Sequence, residues 1–271
     1  MASGYYQVKL DERDKTAFIT KYGLFQYTKL PYELCNSPAT FSRVIQLVLQ
    51  GLSWKEYLAY LDEVVVLGTN FENHMQSLIR VFTRFKKYNL QLKPSKCQLF
   101  QTEVKFFGKV VSNNGISVNP ESIEAVKQWT PLKSKKEVES FIGFTNYHRD
   151  HIKNFAEIAE PLHKLTGPKT DFVLHEEHQR SFDELKDTLV TAVVLILPTA
   201  DDICILDTDA SDKTIEAELR CQDGIEKTIN YASKVLTPTQ RKYCTTRKEL
   251  LFIVCFTRYF GHYLLGRTCI I

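Results

Sequence analysis

The sequence predicts an α+β chain: a strand-rich beginning, a helical middle, and an ending that returns to strand before a last helix. Three observations predict it. Apolar residues alternate with period two through "YGLFQYTKLP" and again through "YLAYLDEVVVLG", the pattern of half-buried strands. From Asn119 the apolar spacing becomes helical, and near Pro198 it returns to alternation in "DICILDTDAS". At 271 residues the chain is long enough for two domains and a substantial core.

Taken in order, "YYQVKL" alternates and reads as a first strand, followed by "YGLFQYTKLP". Ser37 and Pro38 open a helix through "ATFSRVIQLVLQGL", since proline suits a first turn where its missing N–H costs nothing. The hairpin-like "YLAYLDEVVVLG" comes next, then a helix over 70–88 with Leu78, Val81, Phe82 and Phe85 at helical spacing. "VKFFGKVVSNNGISV" predicts a second hairpin turned at Asn113, Asn114 and Gly115. Asn119 and Pro120 cap a helix carrying Ile123, Val126 and Trp129. Ser134 with Glu137 forms a capping box for a helix carrying Val138, Phe141 and Ile142. A third helix spans "EEHQRSFDELKDTLV", and after the strand near 198 the chain ends in one long apolar helix, "TRKELLFIVCFTRYFGHYL".

Composition narrows the class. No apolar run approaches a membrane span and "MASGYYQVKLDERDK" has no signal-peptide core, so no membrane partner is expected. Seven cysteines, an odd number without a CxxC pair, read as reduced thiols of an intracellular protein, cytoplasmic or nuclear. The net charge of +3 hides a polarity along the chain. From Arg80 to Lys109 there are eight basic residues and one acid, interleaved with Phe82, Phe85, Tyr88, Phe100, Phe106 and Phe107. Such a stretch suits a polyanionic backbone, although composition alone favours a helix with a solvated Lys/Arg face and a Phe core face. From Asp171 to Glu226 fifteen acids face four basic residues.

Carboxylates stand at two strand ends. Asp62 and Glu63 interrupt an apolar hairpin where its arms meet, a position from which both can reach one divalent cation. A plain turn is the competing reading, weakened because Asp-Glu is a poor two-residue hairpin pair. Asp209 ends the alternation Ile203, Ile205, Asp207, Asp209, where an Asx-turn competes with a cation site. Glu249, three residues after Thr246, reads equally as the last member of a capping box. His175 with His178, and His148 with His151, share helix faces, but without a third ligand hydrogen-bonded histidines are the better reading than zinc.

The order of motifs says more. "SGYYQVKL", "KTAF", "YGLFQYTKLP", "NSPATF", "YLDE", "LKPSKCQLF", "VKFFGKVVSNNGISVNPESIEAVKQW", "SFIGFTNYHRDHIKNFAEIAEPLHKLT", "LDTDASD", "INYASKVLTPTQRKYCTTRKELLFIV" and "HYLLGR" follow one another over nearly the whole chain. This series resembles the reverse transcriptase–RNase H segment of a gypsy-class LTR retrotransposon polyprotein. The resemblance implies a right-hand polymerase palm with partial fingers over 1–118, a helical thumb over 119–170, a connecting segment over 171–198 and a partial RNase H-like α/β domain over 199–271. It implies that Asp62 and Glu63 form the catalytic, metal-holding YxDD tip, and that Tyr5 screens the 2′ position of the incoming nucleotide, beside Glu33. Phe107 and Gly108 fall in the hairpin that seats the primer end, and Asp209 and Glu249 match the first two of four RNase H acids. Lys86, Lys87 and Lys93 lie in the basic stretch expected to contact nucleic acid. The implied cofactor is Mg²⁺, two ions per site. The implied partners are an RNA template, a DNA primer, an RNA–DNA hybrid and deoxynucleoside triphosphates; no oligomeric state is implied.

Departures from the family pattern bear on activity. The family's palm Asp falls one residue before Met1, and its later RNase H acids fall after Ile271. Glu63 replaces an Asp, Glu33 replaces a Gly, and "TIEAELR" puts Glu216 and Glu218 into a strand the family fills with small and apolar residues. The expectation is therefore an impaired polymerase and RNase H, with a catalytically inactive binding or interaction-only remnant as the alternative.

Overall fold

In the computed structural model, which describes residues 4–32, 34–167, 170–199, 202–223 and 225–271, the chain opens not on a strand but on a 3₁₀ turn, Gly4–Gln7. The Phe41 ring lies where a side chain at Gly4 would stand, its Cζ 2.7 Å from a Cβ placed there. Close approach to that ring rounds the backbone that alternation alone reads as extended. Strands β1 (Phe18–Thr20) and β2 (Gly23–Phe25) form a solvent-exposed hairpin. Helix α1 (Ser37–Val48) starts at the predicted Ser-Pro and buries Phe41, Ile45 and Val48 along one stripe. Strands β3 (Tyr57–Tyr60) and β4 (Glu63–Val66) pair antiparallel.

Helix α2 (Phe71–Lys87) is capped by Asn70, whose side chain accepts from the Asn73 N–H at 2.8 Å. Glu72 in its first turn and Arg84, Lys86 and Lys87 in its last complement the helix dipole. Leu78, Val81 and Phe85 point inward, so Phe41, Ile45, Val48, Leu49, Tyr57, Val81 and Phe85 make one core. These elements belong to a compact unit of residues 1–101.

Residues 102–271 form the second unit. It begins with a three-stranded antiparallel sheet, β5 (Glu103–Phe106), β6 (Lys109–Ser112) and β7 (Gly115–Val118), where the sequence suggests a single hairpin. Asn119 caps α3 (Pro120–Lys127), which ends before Trp129; the Trp129 ring still packs edge-on to Phe141 at 5.4 Å. Ser134 caps α4 (Lys135–Tyr147), but only half of the capping box forms. The Glu137 carboxylate accepts from the Lys133 N–H at 2.8 Å, one residue before the cap.

Helix α5 (Phe155–Leu165) and α6 (Glu176–Val190) complete a helical core from Val126 to Leu189. The His175 N–H donates to His178 Nδ1 at 2.9 Å, so this pair starts a helix. The chain divides by packing after residue 101, and the expected thumb and the 171–190 segment share one core.

Beyond lie β8 (Ile203–Ala210), β9 (Thr214–Asp223) and β10 (Ile225–Val235), antiparallel neighbours, with β11 (Cys269–Ile270) parallel to β8 on its other side. The short helix α7 (Pro238–Arg241) leads to α8 (Thr245–Tyr259). The predicted long helix is broken at Phe260, where α9 (Gly261–Leu264) begins. Phe252, Phe256 and Phe260 enter the sheet's core, while Leu250 and Val254 stay exposed, because a helix apolar all round has only one face to give a single sheet.

His148 and His151 follow α4, each 2% exposed. His151 Nδ1 donates to the Val193 carbonyl at 3.1 Å; His148 lies against the Phe144 and Tyr147 rings, and Lys109 pairs with Asp150 beside them. Burial, with His151 and Lys109 nearby, pushes the His148 pKa down to about 4; burial also lowers that of His151. Both rings are neutral in the fold, whereas the unfolded chain takes up their protons below about pH 6.5. The stabilisation is present above that value and is lost as pH falls toward 4, by roughly 3 kcal/mol for His148. The melting temperature should therefore drop steeply between pH 6.5 and 4.5. His148→Phe should flatten that slope; an unchanged slope counts against the assignment.

Candidate functional site

Tyr60 pairs with Glu63, so the turn between β3 and β4 is Leu61 and Asp62, not Asp62 and Glu63. Leu61 takes the left-handed conformation, φ +52°, which frees Glu63 to extend as the first, exposed residue of β4. The two acids thus differ: Asp62 is half-buried in the turn and Glu63 lies on the strand.

Asp62 has an aromatic neighbourhood. The Tyr5 ring sits 5.0 Å from Tyr32 and edge-on to Phe41 at 5.3 Å, and Tyr6 meets Tyr32 at 5.0 Å. Burial raises the Tyr5 phenol above its ordinary value, and the Asp62 charge and Tyr32 raise it further. The close contact of Gly4 with Phe41 therefore carries Tyr5 to Asp62. Tyr32 was not singled out by sequence; its signal is only its place next to Glu33, which itself lies outside the described residues.

The turn between β5 and β6 is Phe107 and Gly108, at φ +52° and +61°. Two positive values in succession suit a tight hairpin, and Gly108 meets them without a Cβ penalty; Phe107 does not. Tyr147 of α4 donates its hydroxyl to the Phe107 carbonyl and pins the turn, while the Phe107 ring remains exposed and edge-on to Phe106. Tyr147 also escaped the sequence reading.

Lys86 and Lys87 are exposed at the end of α2, and Lys93 just before the 3₁₀ turn Pro94–Lys96. Phe85 is core, as the solvated-face reading requires. Phe82, Tyr88 and Phe100 are exposed, and Lys87 Nζ lies 5.5 Å from the Tyr88 ring, which departs from that reading and offers stacking surfaces beside cations.

In the second unit, Asp209 of β8 stands opposite Glu216 of β9, and Asp207 opposite Glu218. Their side chains and Arg220 line a cleft of about 340 Å³, walled on the other side by Lys153. Arg220 pairs with Asp207 and Glu226, Thr228 donates to Glu218 at 2.8 Å, and Asp209 accepts from the Ala210 N–H at 2.7 Å. The wall is held to the sheet at Ser233 of β10. Its carbonyl accepts from Arg149 and its hydroxyl from the Ala156 N–H at 2.9 Å.

Glu216 is half-buried, and desolvation raises its pKa; Lys153 opposes that shift, whereas Asp209, Glu157 and Glu218 reinforce it. Glu249 is exposed and outside the residues that line the cleft. Its capping box with Thr246 does not form, because α8 starts earlier with Cys244 as its cap residue. Lys248 Nζ, 3.0 Å from Asp212, ties that end of α8 to the turn following Asp209. Among the described residues no three His, Cys, Asp or Glu side chains converge as a metal-holding group.

Residues 1–111 match the family of reverse transcriptase (RNA-dependent DNA polymerase), and residues 174–271 match the RNase H-like domain found in reverse transcriptase. The chain is 35% identical, over its whole length, to 26% of the retrovirus-related Pol polyprotein from transposon 297 of Drosophila melanogaster. It is 33% identical over 94% of its length to 27% of that from transposon opus of the same organism. A third relative, the transposon Tf2-3 polyprotein of Schizosaccharomyces pombe, is 28% identical over 97% of the chain and 20% of its own length. The chain thus spans about a quarter of the length of the curated relatives it matches.

Among solved structures, the foamy viral protease-reverse transcriptase dRH in complex with double-stranded DNA aligns with a TM-score of 0.86 at 25% identity, over 98% of this chain and 47% of that one. The foamy viral protease-reverse transcriptase in complex with an RNA/DNA hybrid aligns at 0.81 and 25% identity, over 98% and 36%. The fold is a reverse transcriptase polymerase fold followed by an RNase H-like domain.

A raised carboxyl pKa means that ionised Glu216 is less favourable in the fold than in the unfolded chain. Its contribution is fully present below the ordinary glutamate value and is lost as pH rises through the raised one. Glu216→Gln should melt higher than the parent at pH 7.5, with the difference closing near pH 4. Equal melting temperatures at both values would remove Glu216 from the cleft's charge balance.

Proposed function

We propose that this chain is part of a gypsy-class retrotransposon polyprotein and acts on nucleic acid as an RNA-directed DNA polymerase with RNase H activity, impaired at both sites. The observation that carries the reading is Asp62 in the hairpin turn, within electrostatic reach of Tyr5, whose ring packs at a tilt against Tyr32. In the proposed division, residues 1–118 are palm with partial fingers, 119–170 thumb, 171–198 connection and 199–271 RNase H-like domain. The partners are an RNA template, a DNA primer, the hybrid they form, and deoxynucleoside triphosphates.

The donors fit Mg²⁺, which takes carboxylate oxygens one or two at a time and shares its remaining positions with water and substrate phosphates. Asp62 with Glu63 would hold it in the palm; Asp209, with Glu249 of α8, would hold it in the second domain. When bound, it activates the attacking hydroxyl or water and stabilises the leaving oxygen. The chain's own side chains do the positioning. The Tyr5 ring, wedged between Phe41 and Tyr32, limits the space beside the sugar and so disfavours a 2′-hydroxyl. The Phe107–Gly108 turn, pinned by Tyr147, supports the primer end.

Impairment follows from chain chemistry. Glu63 sets its carboxylate one methylene farther out than Asp, on the order of 1 Å, a displacement that positional catalysis tolerates badly. Glu33 adds a negative charge where the resembled family has Gly. Glu216 brings a further carboxylate opposite Asp209. These features also support a second reading, in which the fold grips a hybrid through basic and aromatic surface without chemistry.

Primer extension separates the two. With Mg²⁺ and the four triphosphates, extension by the chain should be slow, at least tenfold faster in Glu63→Asp, and abolished in Asp62→Asn. Extension that survives Asp62→Asn refutes the polymerase assignment; extension by neither the parent nor Glu63→Asp favours the binding remnant. Hybrid affinity should fall by orders of magnitude between low and moderate salt if several phosphates are contacted. Reversing charge at Lys86, Lys87 and Lys93 together should weaken it for all sequences. Salt-insensitive binding would place the contact elsewhere.

A further inference from the structure

A cluster of cations gathers around one acid outside the cleft. Glu160 of α5 is half-buried, and its Oε1 has Lys164 Nζ at 3.2 Å and Arg241 Nη2 at 3.4 Å. Arg241 belongs to α7 and donates from Nε to the Leu236 carbonyl at 3.1 Å. The Leu236 N–H in turn donates to the Lys213 carbonyl at 2.8 Å, which ties the approach to α7 to the turn between β8 and β9. Lys213 is near enough for its charge to act on Glu160. Helix α5, the β8–β9 turn and α7 thus bring three cations to one acid.

The balance of charge is positive. Burial works against the Glu160 carboxylate, yet Lys164, Arg241 and Lys213 outweigh it and hold its pKa below the ordinary value. One carboxylate cancels only one of three cations. Lys164 and Arg241 keep 67% and 38% of their side-chain surface in water, and Lys213 is exposed, so the excess charge faces solvent. The neighbouring acids are engaged elsewhere: Asp212 pairs with Lys248 at 3.0 Å, and the Glu157 charge acts on Glu216 in the cleft. Strand β11 meets β8 at Cys204 and Ile205, whereas Lys213 lies past the other end of that strand. Interior segments of the chain build this surface.

We propose that Lys164, Lys213 and Arg241 hold the phosphate backbone of a nucleic acid a few nucleotides from Asp209. The inference rests on the nucleic-acid reading above and adds a contact made by residues other than Lys86, Lys87 and Lys93. Two stretches of chain lead from the cleft to these cations. Strand β8 carries Asp209 at its end, and the turn that follows bears Lys213. Helix α5 starts after Asn154, which lines the cleft, and reaches Lys164 about 15 Å farther along its axis. Phosphates of one strand recur every roughly 3.4 Å along a duplex, so that span covers about four of them.

Cations on three elements suit a run of phosphates, whose charge repeats, better than a single anion. Glu160 keeps two long side chains in place, so less freedom is lost when a phosphate arrives. Such contacts fix where the duplex lies and carry no sequence information.

The test measures the affinity of the whole chain for an RNA–DNA hybrid as salt is varied. It compares the parent with the double variant Lys164→Gln, Lys213→Gln and with Lys213→Gln alone. The double variant should bind roughly tenfold more weakly at low salt, for every hybrid sequence, and its salt slope should fall by about two. Lys213→Gln leaves both Glu160 pairs intact and should lose about half of that slope change, which keeps the test decisive should the double variant unfold. An uncharged methylphosphonate, moved along one strand, should weaken the parent at a position where it no longer weakens the double variant. Parental affinity and slope in both variants overturn this contact and leave the nucleic-acid reading standing; a parent that binds no hybrid overturns both. Inorganic phosphate that displaces the hybrid from the parent but not from the double variant would mark an isolated anion site and also overturn the proposal.

Discussion

Burial of Ile215, Ala217, Leu219 and Cys221 against Phe252, Phe256 and Phe260 leaves β9 no freedom of register. A slip of one residue would turn Glu216, Glu218 and Arg220 into that core, and unpaired charge there is prohibitively costly. The inward set thus dictates the outward one. Glu216 must face Asp209, Glu218 must face Asp207, and Arg220 must find carboxylates beside it. The same register lines up Cys221 with Cys204 on the inner side. An acidic cleft and a row of thiols are two faces of one packing constraint.

The unit formed by residues 1–101 solves a different problem. There the half-buried Asp62 lies in a hairpin turn within electrostatic reach of a packed group of rings. Phe41 grows from the buried stripe of α1, Gly4 lets the chain close on that ring, and Tyr5 is thereby fixed against Tyr32 and near Asp62. Rings lose little rotamer freedom when packed, so this support is stiff where long ionic side chains would not be.

Much of this was legible in the residues. Helix α6 occupies the predicted segment, α1 starts at its Ser-Pro, Asn119 caps α3, and Ser134 caps α4 with half of its predicted box. The misreadings arise where the backbone conformation is decided by packing or pairing that the residue pattern does not display. "YYQVKL" alternates, yet contact with Phe41 makes its start a 3₁₀ turn. No local signal marks Leu61 for a left-handed turn; that follows from the pairing of Tyr60 with Glu63. Glu249 looked like a cap because Thr246 stands three residues earlier, but Cys244 already ends the preceding loop. The opposition of Asp209 and Glu216 exists only once two strands choose a register.

Ser233 gives the cleft a mechanical character. Two bonds from this one residue of β10, to Arg149 and to the Ala156 N–H, clamp the corner that bears Lys153. The far wall of the cleft is thus geared to β10, while its acidic floor rides on β8 and β9. The ammonium and the carboxylates that face each other across the cleft are thus referred to different strands of one sheet, β10 for the first and β8 and β9 for the second.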